Sequence, residues 1–213
     1  MIAVLLSGRR LKAALCDSTK PVKERLIITP LLAPDKQVSE GGASVDVRLG
    51  QKFQVPRRTK LSQLNHLDPN HSRNIERYKD ETFVGIGDYF VLHPRQFVLG
   101  ETLEWVHLPH DLSAYVVGRS SWGRDGLIIA TATGVHPGYS GILTLEISNI
   151  GEIPVYLWPG VTIAQLFIQQ VVGSEIGDSD RSAFQGSTEP RSANAAEADR
   201  RIIEEFKKPP WPS

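Results

Sequence analysis

The residue pattern predicts an all-β fold, an antiparallel sandwich, jelly roll or barrel entered through one short helix and left through a polar tail. Two observations carry that reading. From Phe83 to Val172 short runs rich in β-branched and aromatic residues recur about every 8 to 12 residues, punctuated by Gly and Pro. No strand pattern alternates with a long helical one, which speaks against a doubly wound nucleotide-binding fold.

The elements follow in order. Ser7 precedes Gly8–Leu15, where Leu11, Ala14 and Leu15 stand at helical spacing, so a helix is expected over residues 7 to 16 with Ser7 as its N-cap. Ser44–Gly50 alternates strictly, with Val45, Val47 and Leu49 on one face and Asp46 and Arg48 on the other, the mark of a half-buried strand. Residues 56 to 82 are polar, charged and aperiodic and read as a long surface excursion. Further strands are expected at Tyr89–Leu92, Gln96–Leu99, Ala114–Val117, Ile142–Ile147, Val155–Leu157 and Ile163–Ile168. After Gly173 the composition turns to Ser, Asp, Glu, Arg and Ala, so one domain over 1–173 is expected with a tail over 174–213. Within the tail, Ala195–Lys207 could make an amphipathic turn or two through Ile202, Ile203 and Phe206. There is no internal repeat.

Composition excludes several classes. The 213 residues are 40% hydrophobic and 23% charged, as in an ordinary globular protein rather than a disordered one. Lys and Arg total 24 and are cancelled by 24 Asp and Glu, so no nucleic-acid partner is expected, and any bound anion must be small and held locally. A lone Cys16 leaves no internal disulfide and no Cys-rich metal site, which fits a reducing cytoplasm. The opening MIAVLLSGRR is too short in apolar residues for a signal peptide, and no run approaches the roughly 20 apolar residues that span a bilayer. A soluble cytoplasmic protein is expected, without a membrane partner.

Three segments could carry chemistry. Gly118–Gly126 packs Arg119, Ser120, Ser121 and Arg124 between glycines that would let the backbone approach a ligand, the parts needed to hold a phosphate chain. An ordinary N-capped turn with surface arginines fits the same residues. In Gly134–Ile147, Pro137-Gly138 marks a turn, and the strand after it puts Leu143, Leu145 and Ile147 on one face and Ile142, Thr144, Glu146 and Ser148 on the other. Glu146 is disfavoured in mid-strand. It reads either as part of a solvated face or as a general base held on a rigid strand. Leu157–Phe167 carries one amide, Gln165, among apolar neighbours, suited to satisfying a backbone group or reading a ligand edge. His107 and His110 straddle Pro109, while His66 and His71 lie in the polar excursion, and none has metal-ligand spacing.

Together these segments resemble the dCTP deaminase branch of the dUTPase-like superfamily. The resemblance rests on Ser44–Gly50, Phe90–Pro94, Phe97–Glu104, the Gly118-Arg-Ser-Ser loop, Pro137–Gly141, Thr144–Glu146 and Leu157–Gly160, with an echo at Phe184–Gly186. It implies a distorted β jelly roll, a homotrimer with shared active sites, and a tail that serves as a lid. It also implies a reaction in which water attacks C4 of the cytosine of dCTP, ammonia leaves and dUTP forms. No catalytic metal is implied, and the zinc-type ligand set of other deaminases is missing here. Mg²⁺ is expected only on the triphosphate.

By matching position, the resemblance makes Glu146 the base that activates water and passes its proton to the leaving amine. Ser120 would help fix that water, and Arg124 would bias the carboxylate. Arg119, Ser121 and the loop amides, Gly123 among them, would bind phosphates. Thr144 and Gln165 match positions near the nucleotide, and Tyr139 would pack on the deoxyribose and exclude a 2′-hydroxyl.

Four positions depart from the family pattern. His136 replaces an Asp that in the family contacts the sugar 3′-hydroxyl; His can still bond a hydroxyl but argues against triphosphate hydrolysis. Leu127–Gly134 is one residue short and lacks a family His. Ala183–Ser187 lacks a Lys and a Gln, and Ile176 stands nearest to where a phosphate-binding Tyr is expected. Each lost charged hydrogen bond in a desolvated site costs on the order of 1.5–3 kcal/mol. Three readings follow: a dCTP deaminase, a bifunctional enzyme that releases dUMP (supported by Trp122–Arg124 and Thr131-Ala132), and a nucleotide-binding regulatory trimer without turnover or with an altered substrate.

Overall fold

A computed structural model describes residues 4–32, 34–38, 41–57, 63–65, 67–68, 78–130, 134–172, 186, 188–190 and 204. The chain divides into two compact units, one of Met1–Gln54 with Glu81–Arg191 and one of Val55–Asp80 with Ser192–Ser213. All of the expected tail turn but Glu204, which is helical, lies outside the described residues, as do Ile176, Thr131-Ala132, most of Ala183–Ser187 and the boundary at Gly173.

In the first unit, α1 (Gly8–Cys16) starts at Ser7, whose extended backbone ends the helix although its side chain makes no capping bond. The Gly8 N–H instead donates to Gly42 O at 2.8 Å, and Leu11 is fully buried. β1 (Ile27–Thr29) and a short helix α2 (Pro34–Gln37) lead to β2 (Val45–Arg48) and β3 (Lys52–Pro56). Then come β4 (Lys79–Phe83), β5 (Phe90–Leu92), β6 (Phe97–His107) and β7 (Leu112–Gly118). The helix α3 (Ser120–Arg124) joins β7 to β8 (Leu127–Ile129), followed by β9 (Gly134–Val135), β10 (Ser140–Asn149), β11 (Val155–Leu157) and β12 (Thr162–Gln170).

The strands form a sheet ordered β4-β3-β6-β10-β8 with β1 also on β6, a second sheet ordered β2-β12-β7-β9, and a β11-β5 ribbon. Every register resolved between named strands is antiparallel, as the pattern predicts. Beyond the end of β2, Leu5 continues the edge by bridging Gln169. Apolar alternation drives the packing: Val45, Val47, Leu145, Ile147, Ile163, Leu166 and Ile168 are all fully buried. Burying each such side chain is worth about 1.5–3 kcal/mol.

Some expectations need correction. Arg48 is not solvent-facing; it is buried because its Nε donates to Glu104 Oε1 at 2.7 Å and its backbone N–H to Glu104 Oε2 at 2.8 Å. β6 runs through Gly100 and two glutamates that disfavour strands. Gly100 fits there because a side chain would press on Ile147. β4 lies largely inside the segment read as excursion, and β1, β3, β8 and β9 were too short or too polar for alternation to expose them.

The last described residues of the first unit, 186 and 188–190, lie along the first sheet. Lys52 Nζ pairs with Glu189 at 2.8 Å, Gln54 Nε2 donates to Pro190 O at 2.9 Å, and Gly186 N–H donates to Ser140 O. In the second unit, Arg57 pairs with Asp80 and its N–H donates to Tyr78 O, while Asn65 Oδ1 accepts from the Leu67 N–H in a side-chain turn. Among the described residues no helix is long and apolar enough to cross a membrane.

Candidate active site

The loop after β7 is built by packing within the chain. Arg119 takes the N-cap position of α3 and its N–H donates to Ile163 O of β12. Trp122 Nε1 donates to Thr162 O at 2.9 Å, so the helix is bolted to the start of β12. Two of the loop's glycines are also required by packing. A side chain at Gly118 would press on Ile129, and one at Gly126 (φ 84°) would meet the backbone of Gly151 at 2.9 Å. Gly123 has open space at that distance. Ser120, Ser121 and Arg124 are exposed on α3, and no side-chain cap bond starts it.

Glu146 sits half-buried at the middle of β10, opposite Leu99 of β6, and its carbonyl accepts from the Ala130 N–H after β8. The strand therefore holds its backbone from both sides, and the alternation read from sequence is seen: Leu145 and Ile147 inward, Thr144 and Ser148 half-buried beside Glu146. Tyr139 is buried, and its hydroxyl donates to the Ile142 carbonyl. The turn before it is closed by the Tyr139 N–H on His136 O, and the His110 ring packs over Gly138, whose φ of 76° suits a residue without Cβ.

Arg119 and Gln165 are brought together by a residue to which sequence reasoning gave no role. Asp46 on β2 faces Gln165 in register; its Oδ2 accepts from Arg119 Nη1 at 2.8 Å and its Oδ1 from Gln165 Nε2 at 2.9 Å. The available signal was that Asp46 lies on the polar face of its strand, as Gln165 does on its own. By contrast, Arg124 makes no ion pair among the described residues.

A second carboxyl lies across from Thr144. Glu101 is buried, accepts from the Lys52 N–H at 3.2 Å through Oε1, and its buried Oε2 has no partner among the described residues. Burial raises its pKa to about 7, against the pull of backbone N–H donors and the Lys52 ammonium. Among the described residues, no group of three or more His, Cys, Asp or Glu is placed to hold a metal ion.

A family model described as dCTP deaminase-like matches residues 5–171. The chain belongs to the dCTP deaminase-like family. It is 44% identical over 183 residues to a dCTP deaminase of Natronomonas pharaonis, spanning 82% of this chain and 89% of that one. It is 39% identical over 194 residues to a dCTP deaminase, dUMP-forming, of Halobacterium salinarum, spanning 89% and 94%. The fold matches a crystal structure of 2′-deoxycytidine 5′-triphosphate deaminase from Agrobacterium tumefaciens with a TM-score of 0.56 and 24% identity, over 78% of this chain and 46% of that chain. The all-β fold and the resemblance to the dCTP deaminase family stand.

Proposed function

We propose that the chain is a dCTP deaminase that converts dCTP and water to dUTP and ammonia. What supports this best is the family match, which runs through the β10 segment and includes Glu146 on a strand held from both sides. The Glu146 carboxylate takes a proton from water as the hydroxide adds to C4 of cytosine and delivers that proton to N3; it then takes the proton of the C4 hydroxyl and passes it to the amine, so that the C4–N bond breaks, ammonia leaves and C4 becomes a carbonyl. Ser120 helps fix the water, Arg124 biases Glu146, and Arg119, Ser121, Gly123, Thr144, Tyr139 and Gln165 hold the nucleotide. Mg²⁺ comes on the substrate triphosphate.

The active form we propose is a homotrimer with shared sites. Exposed Tyr115 and Val117 on the second sheet, and an exposed Arg124 with no ion pair among the described residues, support it. A cytoplasmic location agrees with the exposed, unpaired Cys16.

The test is incubation with dCTP and Mg²⁺, followed by chromatography of nucleotides and assay of ammonia. Parent protein is expected to release dUTP and ammonia in equal amounts, and Glu146→Gln to lose on the order of 10³-fold in rate with sedimentation unchanged. An active Glu146→Gln protein would sink the assignment. Release of dUMP would favour the bifunctional reading, which the Halobacterium relative's name supports.

A further inference from the structure

We infer that Asp46 is a positioning residue of the nucleotide site, an inference that rests on the deaminase reading. Two side chains assigned to the nucleotide, Arg119 from the end of β7 and Gln165 from β12, share this one carboxylate, one on each oxygen.

The chemistry of the three groups fixes their orientation. A carboxylate accepts and cannot donate, so Gln165 must turn its NH₂ toward Asp46 and its carbonyl oxygen away. The amide therefore offers a ligand an acceptor and one remaining N–H, in a defined orientation. Arg119 keeps the rest of its five donors for an anion once one nitrogen is engaged. A long guanidinium held in one rotamer loses less entropy on binding than a free one, which is the gain from preorganisation.

The anchor itself is rigid. The Asp46 carbonyl accepts from Gln37 Nε2 at 3.1 Å, and the same amide reaches Glu104 Oε1 at 3.2 Å, inside the buried Arg48–Glu104 pair. Asp46 is thus clamped through its backbone to the core and through its side chain to the site. Its negative charge near a triphosphate is a cost that only a positioning role would offset.

The test is calorimetric titration of the full chain with dCTP and Mg²⁺ for the parent, Asp46→Asn, Arg119→Ala and the double variant, alongside kcat and KM. Asparagine keeps the shape but offers one acceptor where two are used. We expect Asp46→Asn to raise Kd and KM about tenfold with kcat within threefold, and the double variant to bind no worse than Arg119→Ala alone. Kd unchanged or lowered in Asp46→Asn, or effects that simply add, would overturn the inference. Parent protein that binds dCTP without releasing ammonia would overturn the deaminase reading while leaving the Kd comparison decisive. Parent protein that does not bind dCTP would overturn both.

Discussion

Strand β2 carries two carboxylate–guanidinium pairs two residues apart, and they are opposites. Arg48 meets Glu104 in the core, with side chains 10% and 0% exposed, while Asp46 meets Arg119 at 19% and 38%. The first pair is wrapped in donors and acceptors: Arg48 also reaches Pro30 O at 2.7 Å, and Gln37 adds a third donor to Glu104. The second leaves much of its cation to solvent. The same pairing chemistry, two residues apart on one face of one strand, thus yields an anchor at one position and a ligand-ready cation at the other. The difference is set by desolvation, which makes a buried pair costly to break and an exposed pair cheap.

The largest effect expected is at the buried pair. Arg48→Met leaves the buried Glu104 without its counter-cation, with only the Gln37 amide and the residue 48 N–H as donors, and should cost about 3–5 kcal/mol in denaturant unfolding, with much of it regained in Arg48→Met/Glu104→Leu. A loss under about 1 kcal/mol would erase the contrast. Next is Glu101, whose pKa of about 7 lies above the ordinary 4.5, so the fold favours its protonated form. Its stabilising contribution is present below pH 4.5 and is lost as pH rises through 7. Between pH 5 and 8, parent stability should therefore fall relative to Glu101→Gln by on the order of 2–3 kcal/mol, read from paired unfolding curves; parallel curves would refute it. Smaller still, Asp46→Asn should cost under about 1 kcal/mol in stability while changing dCTP affinity, the reverse of Arg48→Met. Smallest is Lys52→Ala, which removes an exposed pair with Glu189 and should shift stability by no more than about 0.5 kcal/mol.

What could be read from sequence followed the periodicity of the chain. β2 and the second half of β10 alternate, so their faces, and the side on which Glu146 stands, could be read from the pattern alone. β6 was seen only at its start because Glu101 and Glu104 look like surface residues until their partners on β2 and β3 are in place. Asp46 was missed for a related reason: a lone acidic residue on a polar face signals nothing, and its partners come from positions 119 and 165, far along the chain. The packing at Gly118 and Gly126 was equally hidden, since small residues suit the approach of a ligand and of a neighbouring segment alike.

The irregularity where β6 meets β10 has a counting consequence. Between the pairs Ile142↔Trp105 and Thr144↔Glu101, β10 spends only Leu143 while β6 spends residues 102 to 104. The Thr102 hydroxyl fills the gap by accepting from the Leu143 N–H at 3.0 Å. The surplus on β6 is two residues, an even number, so both halves of the strand keep the same phase against β10. Removing one residue there would turn half of β6 inside out, whereas removing two would preserve the alternation and delete the slack that lets Glu104 reach Arg48.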